Sequence, residues 1–179
     1  MRQALTIACL VSASLVGPVP HGVMAQGQER RDVQRPAPSP KQILSLAFSS
    51  ATLQARAAQI AAERETRPEV RRFAQAAVEF RTEHLRRLEA LAREHGLTLP
   101  AVMEFEHQVI LENLEPLDFL ALSRRYAEVQ VQALEQELQI YRAALQTADE
   151  ALISFARQTL PQLEQQLEGA RKALAAVQP

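Results

Sequence analysis

The sequence predicts an all-α fold: an antiparallel four-helix bundle with a short crossover helix between the second and third long helices. Three observations predict it. From Pro68 to Gly96, Val70, Phe73, Ala74, Ala77, Phe80, His84, Leu88 and Leu91 recur at helical spacing on one stripe, and Glu79, Glu83, Arg86, Arg87 and Glu94 lie away from it. Three other segments carry a stripe of the same kind, and four amphipathic helices bury such faces most economically around one core. The breaks between segments hold the residues that start and stop helices.

Residues 1–25 are expected to be a secretory signal. They hold a single basic residue, Arg2, an apolar run from Ala4 to Val16, the breakers Gly17, Pro18 and Pro20, and then Val23-Met24-Ala25 before a cut near Ala25/Gln26. The apolar run, about 13 residues, is too short to span a bilayer comfortably, which favours cleavage over a retained anchor. Thr6-Ile7-Ala8-Cys9 faintly suggests a lipoprotein site, but cutting there would leave only the first eight residues as signal. Residues 26–39 are polar, mixed in charge and proline-bearing, with no apolar period, so a disordered leader is expected there.

The bundle domain is expected at 40–177. Ser39, Pro40 and Gln42 offer a capping box with proline at the first helical position, and the first helix follows over about 40–65. Its inner stripe is Leu44, Ala47, Phe48, Ala51, Ala55, Ala58 and Ala62, small enough for a close helix approach. Thr66-Arg67-Pro68 restarts the chain as the second helix, about 68–95, which ends at Gly96 with His95 in the last turn. The crossover helix is placed at 101–113 with Val102, Phe105 and Val109 as its stripe, inside a connection too long to lack structure of its own. The third long helix, about 117–146, turns Phe119, Leu122, Tyr126, Val129, Ala133 and Ile140 inward. The fourth, about 150–176, starts from Thr147 or Asp149 and buries Leu152, Phe155, Ala156, Thr159, Leu163, Ala170 and Leu174, with Pro161 expected to kink it.

Composition bounds the function. Cys9 is the only cysteine, so the chain after cleavage has neither disulfides nor thiol chemistry. Loss of Arg2 leaves 19 basic against 21 acidic residues, a balance that gives no electrostatic case for nucleic acid or an anionic membrane. Two tyrosines, no tryptophan and five glycines argue against a base-stacking platform or a phosphate-cradling loop. No Ser, His and Asp grouping has the local context of a nucleophile elbow.

Arg67-Pro68-Glu69-Val70 with Phe73-Ala74-Gln75, then Leu91-Ala92 with Gly96-Leu97-Thr98-Leu99-Pro100, Tyr126 with Gln130, and Thr159-Leu160-Pro161-Gln162-Leu163-Glu164 resemble, in order and spacing, the DUF4142 family of exported bacterial proteins. The resemblance runs from about Ile43 to Arg171 and implies a ferritin-like bundle. Such proteins typically carry a glutamate in the first helix, an Asp-His pair in the second, an aspartate early in the third, and histidines midway along the third and fourth. The matching positions here are Gln54, Phe80-Arg81, Ser123, Leu134 and Gln166, which bind metal poorly or not at all.

A dinuclear carboxylate bundle also needs two Glu-x-x-His motifs on facing helices. The chain has one, Glu104 to His107, and both residues fall mostly opposite the expected stripe of the crossover helix. His84 lies on an apolar stripe, where a hydrogen-bonded core histidine is the simpler reading than a ligand. His95 reads as a cap residue favoured by the helix dipole. Glu104, His107 and His84 are thus the only candidate metal set, and no cofactor is expected.

Arg81 faces inward between Ala77 and His84, and Gln54, Gln130 and Gln166 lie on or near the inner stripes of their helices. One buried polar layer of Gln54, Arg81, Gln130, Glu137 and Gln166 is expected. Because a buried guanidinium must be paired, Glu137 is its expected partner; the alternative is that Arg81 reaches solvent from the edge of the stripe. These readings favour an exported, non-enzymatic structural or interaction module of the cell envelope without a metal centre. The alternative is a metal-binding or oxidoreductase bundle with a degenerate or relocated site. An unknown protein partner or self-association is expected, the latter through a second stripe of Leu120, Ala127, Val131, Leu134, Leu138 and Leu145, which can equally be core.

Overall fold

Ser39 and Gln42 cap the first helix reciprocally: the Ser39 amide donates to Gln42 Oε1 at 2.9 Å and the Gln42 amide to Ser39 Oγ at 3.3 Å. From that start the computed structural model, which describes residues 38–64 and 67–178, forms α1 (Pro40–Arg64), α2 (Pro68–Glu94), α3 (Phe105–Leu114), α4 (Phe119–Ala144) and α5 (Glu150–Ala175). The described residues contain no strand, and no helix among them is long and apolar enough to cross a membrane. The expected signal and all but the last two residues of the expected leader lie outside the described residues.

Two apolar clusters fix the helix directions. Ile43, Leu44 and Ala47 at the start of α1 pack with Leu88 and Leu91 late in α2, Tyr141 and Ala144 late in α4, and Leu152 early in α5. Ala57, Ala58 and Ala61 at the end of α1 pack with Val70 and Ala74, Leu122 and Tyr126, and Ala173. Helices α1 and α5 therefore run one way, and α2 and α4 the other. Leu97 and Leu99 still lean on the first cluster while Leu114 and Leu117 belong to the second, so residues 95–118 join opposite ends of the bundle. Between them α3 packs on α1 and α4.

The end of α2 and the start of α5 each carry a local signal. After His95, Gly96 takes φ +64°, its amide donates to Arg93 O, and the Leu97 amide reaches back to Ala92 O at 2.9 Å. This is a Schellman closure, and the positive φ there is why glycine stands at that position. Asp149 caps α5, its Oδ1 accepting from the Leu152 amide at 2.9 Å. Pro161 lies within α5 without ending it.

Three expectations need correction. Helix α3 starts at Phe105, not near 101, and turns the other way: Val102 and Phe105 are 71% and 73% exposed, whereas Leu111 and Leu114 are buried and His107 and Ile110 half-buried. Ala101 to Glu104 are non-helical, so Val102 never enters a helical register with Phe105. Phe119 is not inward but 64% exposed, because Asp118 is extended and Phe119 has φ +46°, which throws its ring outside the bundle. The second stripe of α4 is not a free surface, since Ala127, Leu134 and Leu138 are buried within this chain.

Candidate functional site

The polar centre of the bundle lies between α1, α2 and α4. Arg81 is 1% exposed and Glu137 fully buried, so neither charge can be left to water. Arg81 Nη1 lies 2.7 Å from Glu137 Oε2 and 2.9 Å from Oε1, and Nη2 donates to Gln54 Oε1. Gln54 Nε2 donates to Glu137 Oε2 at 2.8 Å and to Ser50 Oγ at 3.1 Å, one turn back on α1. Gln130 Nε2 donates to the Gln54 carbonyl at 3.2 Å. The guanidinium also sits 5.0 Å from the centre of the Phe80 ring.

His84, one turn beyond Arg81, completes the layer. Its Nε2 is 3.2 Å from Glu137 Oε1 and 3.0 Å from Tyr141 Oη, while Nδ1 has no partner. Burial pushes the imidazole below its usual pKa, against the pull of Glu137, which keeps the ring neutral with its proton on the nitrogen that faces the carboxylate. Burial alone would raise Glu137, but Arg81, His84 and Gln54 together hold it down at about 2. The centre is thus an ionised, nearly saturated pair. A carboxylate already met by a guanidinium, an amide and an imidazole N–H has little capacity left for another ligand.

Of the five residues expected in this layer, the structure gathers Gln54, Arg81, Gln130 and Glu137. Gln166 does not join: Leu163, Leu167 and Ala170 take the inner face of α5, which leaves Gln166 half-buried at the edge with no hydrogen bond to the others. His84, Tyr141 and Ser50 are members that the sequence reading did not place. The available signal was spacing, because Ser50 and Gln54, Arg81 and His84, and Glu137 and Tyr141 each lie one turn apart.

The candidate metal set does not assemble. Among the described residues no group of three or more His, Cys, Asp or Glu side chains converges as a metal site would require. His84 is committed to Glu137 and Tyr141. His107, expected on a solvated face, is instead half-buried, with Nδ1 2.7 Å from Ser49 Oγ, which also accepts the Glu104 amide at 2.7 Å. Ser49 Oγ therefore bridges the Glu104 amide and the His107 ring. This arrangement ties the start of α3 to α1. The Glu104 side chain is exposed.

A profile of the family described as "Domain of unknown function (DUF4142)" matches residues 25–173. The chain belongs to the DUF4142 family. No curated protein and no solved structure matches it significantly. The positions singled out by the DUF4142 resemblance have separate fates: Gln54 and Arg81 meet in the central layer, and Phe80 stacks on His84 with ring centres 5.5 Å apart. Ser123 is buried and donates to the Phe119 carbonyl at 2.8 Å, Leu134 is core, and Gln166 lies at the edge of α5.

Proposed function

We propose that this DUF4142 member is an exported, non-enzymatic structural or interaction module of the cell envelope, periplasmic or secreted, whose bundle needs no metal centre. Its organisation in this reading is a cleaved signal at 1–25, a leader at 26–39 and a ferritin-like bundle at 40–177, with α3 as the crossover helix. Protein contacts, with an unidentified partner or a second copy, are its mode of action. What supports the reading is the charge balance at the centre: Arg81 supplies a covalently attached cation to Glu137, and Gln54 and His84 fill the carboxylate's remaining valences. A metal ion entering there would have to displace a buried guanidinium that then has no counter-charge, which costs several kcal/mol.

Metal analysis of residues 26–179, purified without chelator and then offered iron, manganese and zinc, tests this with thermal melting in parallel. No bound metal and an unchanged melt are expected. Stoichiometric metal with a raised melting temperature would overturn the reading.

A further inference from the structure

His95 and Asp149 join two helix ends across the bundle. His95 Nδ1 lies 2.8 Å from the Leu91 carbonyl and Nε2 lies 2.6 Å from Asp149 Oδ2. Both partners are acceptors: a carbonyl has no proton to give, and Asp149, whose other oxygen caps α5, is held ionised by the backbone N–H groups of the helix it caps and by His95. A neutral imidazole carries one N–H and can satisfy only one of the two. The geometry is therefore that of an imidazolium, at the C-terminus of α2 and against the N-cap of α5, where helix dipoles favour both charges.

Of the four seams between neighbouring long helices, the one this pair closes, α2–α5, has the fewest close backbone approaches. Beside it lies an open hollow of about 420 Å³, lined by Arg87, Leu91, Glu94, Phe155 and Gln158 among others. Arg87 bridges the seam, its guanidinium 4.9 Å from the centre of the Phe155 ring and donating weakly to Gln158 and Gln162. Further along the same two helices, two buried polar atoms have no hydrogen-bond partner: Nδ1 of His84 on α2, whose ring stacks on Phe155 at 6.0 Å, and Oγ1 of Thr159 on α5. Unpartnered buried polar atoms favour any state in which water reaches them.

We infer that the His95–Asp149 pair is a proton-operated latch on the α2–α5 seam, shut when His95 is protonated and released when it is not, so that deprotonation loosens that seam. The charges bearing on the ring are Asp149 from the α5 cap and Glu94 from α2 itself. The residues of the α1 start and the α4–α5 turn that line the hollow beside Asp149, Pro38, Ser39, Pro40, Gln146, Thr147 and Ala148, carry no charge. The hydrogen bond to Leu91 O leads the effects that raise the proton affinity of His95, burial opposes it, and Asp149 and Glu94 add to it. The latch is accordingly fully engaged below the ordinary histidine value of 6.5 and lost as pH rises through the raised one.

Amide hydrogen exchange on the intact chain, corrected for intrinsic rates and followed across pH 5 to 9, reads the latch directly. Protection in the first half of α5 and the last turn of α2 should fall by roughly threefold to fivefold on the alkaline side, the scale of a partly exposed ion pair, while α1 and α4 hold. Two variants locate the cause. His95→Gln should remove the pH dependence, and Asp149→Asn, which keeps the cap, should move its midpoint to lower pH. A flat profile in the wild type, a change shared equally by all helices, or a midpoint unmoved in Asp149→Asn would overturn the latch.

Discussion

At the scale of the residue, the decisive pair is Arg81 with Glu137. Truncating one member of a fully buried pair strands the other, which costs about 3 to 5 kcal/mol, whereas replacing both by apolar groups of similar size is often neutral or better. Arg81→Ala is thus expected to lose about that much, and Arg81→Met combined with Glu137→Leu to recover most of it, because Gln54 keeps Ser50 and His84 keeps Tyr141 as partners. Urea denaturation of Arg81→Met, Glu137→Leu and the double variant measures the coupling, and a coupling near zero would refute the assignment. The pairing was legible in the sequence because a guanidinium on an apolar stripe admits few outcomes. The third partner was not, because whether His84 turns to a carboxylate or to a carbonyl is settled by rotamer and neighbour, which spacing alone does not encode.

At the scale of the element, the long helices were legible because their stripes run for several turns and their caps are local in sequence. Helix α3 was not. Its start moved from 101 to Phe105 with no proline or capping residue to announce it, and in a ten-residue helix that shift decides which face is inner. Phe119 escaped for a related reason: its positive φ strains a non-glycine residue by about 1 kcal/mol, a local cost outweighed by the packing of Leu122 and Tyr126 behind it. Gly96 is the opposite case, a left-handed residue visible in advance as a helix stop. A Cβ there would meet nothing within 4 Å, so Gly96→Ala should cost only the backbone penalty, about 1 kcal/mol. Thermal melting checks this, and a loss several times larger would mean that the α2 end is packed rather than open.

At the scale of the whole molecule, stability should track two groups of the central layer as acid is added. His84 has a folded pKa below 6.5, so its contribution is complete above that value and is lost as pH falls beneath it. Glu137 is held at about 2 against an ordinary 4.5, so its contribution is complete above 4.5 and drains as pH falls toward 2. The melting temperature should therefore decline in two stages between pH 7 and pH 3, on top of the opposite contribution of His95, and His84→Leu should erase the first stage alone. Calorimetry of both proteins checks it; superimposable profile shapes would rule out the role given to His84.

The direction of the helices carries a further consequence. Arg81 and Gln54 belong to the α1–α2 pair and Glu137 to the α4–α5 pair, with residues 95–118 spanning the length between them. Each pair can form from contacts near in sequence, but the charges meet only when the two halves close on each other, after the long connection has lost its freedom. The buried pair should then be nearly absent from the rate-limiting barrier and complete only beyond it. Stopped-flow kinetics of Arg81→Ala should show unfolding accelerated many-fold and refolding scarcely slowed, so that the central charges set how long the molecule stays folded rather than how fast it gets there.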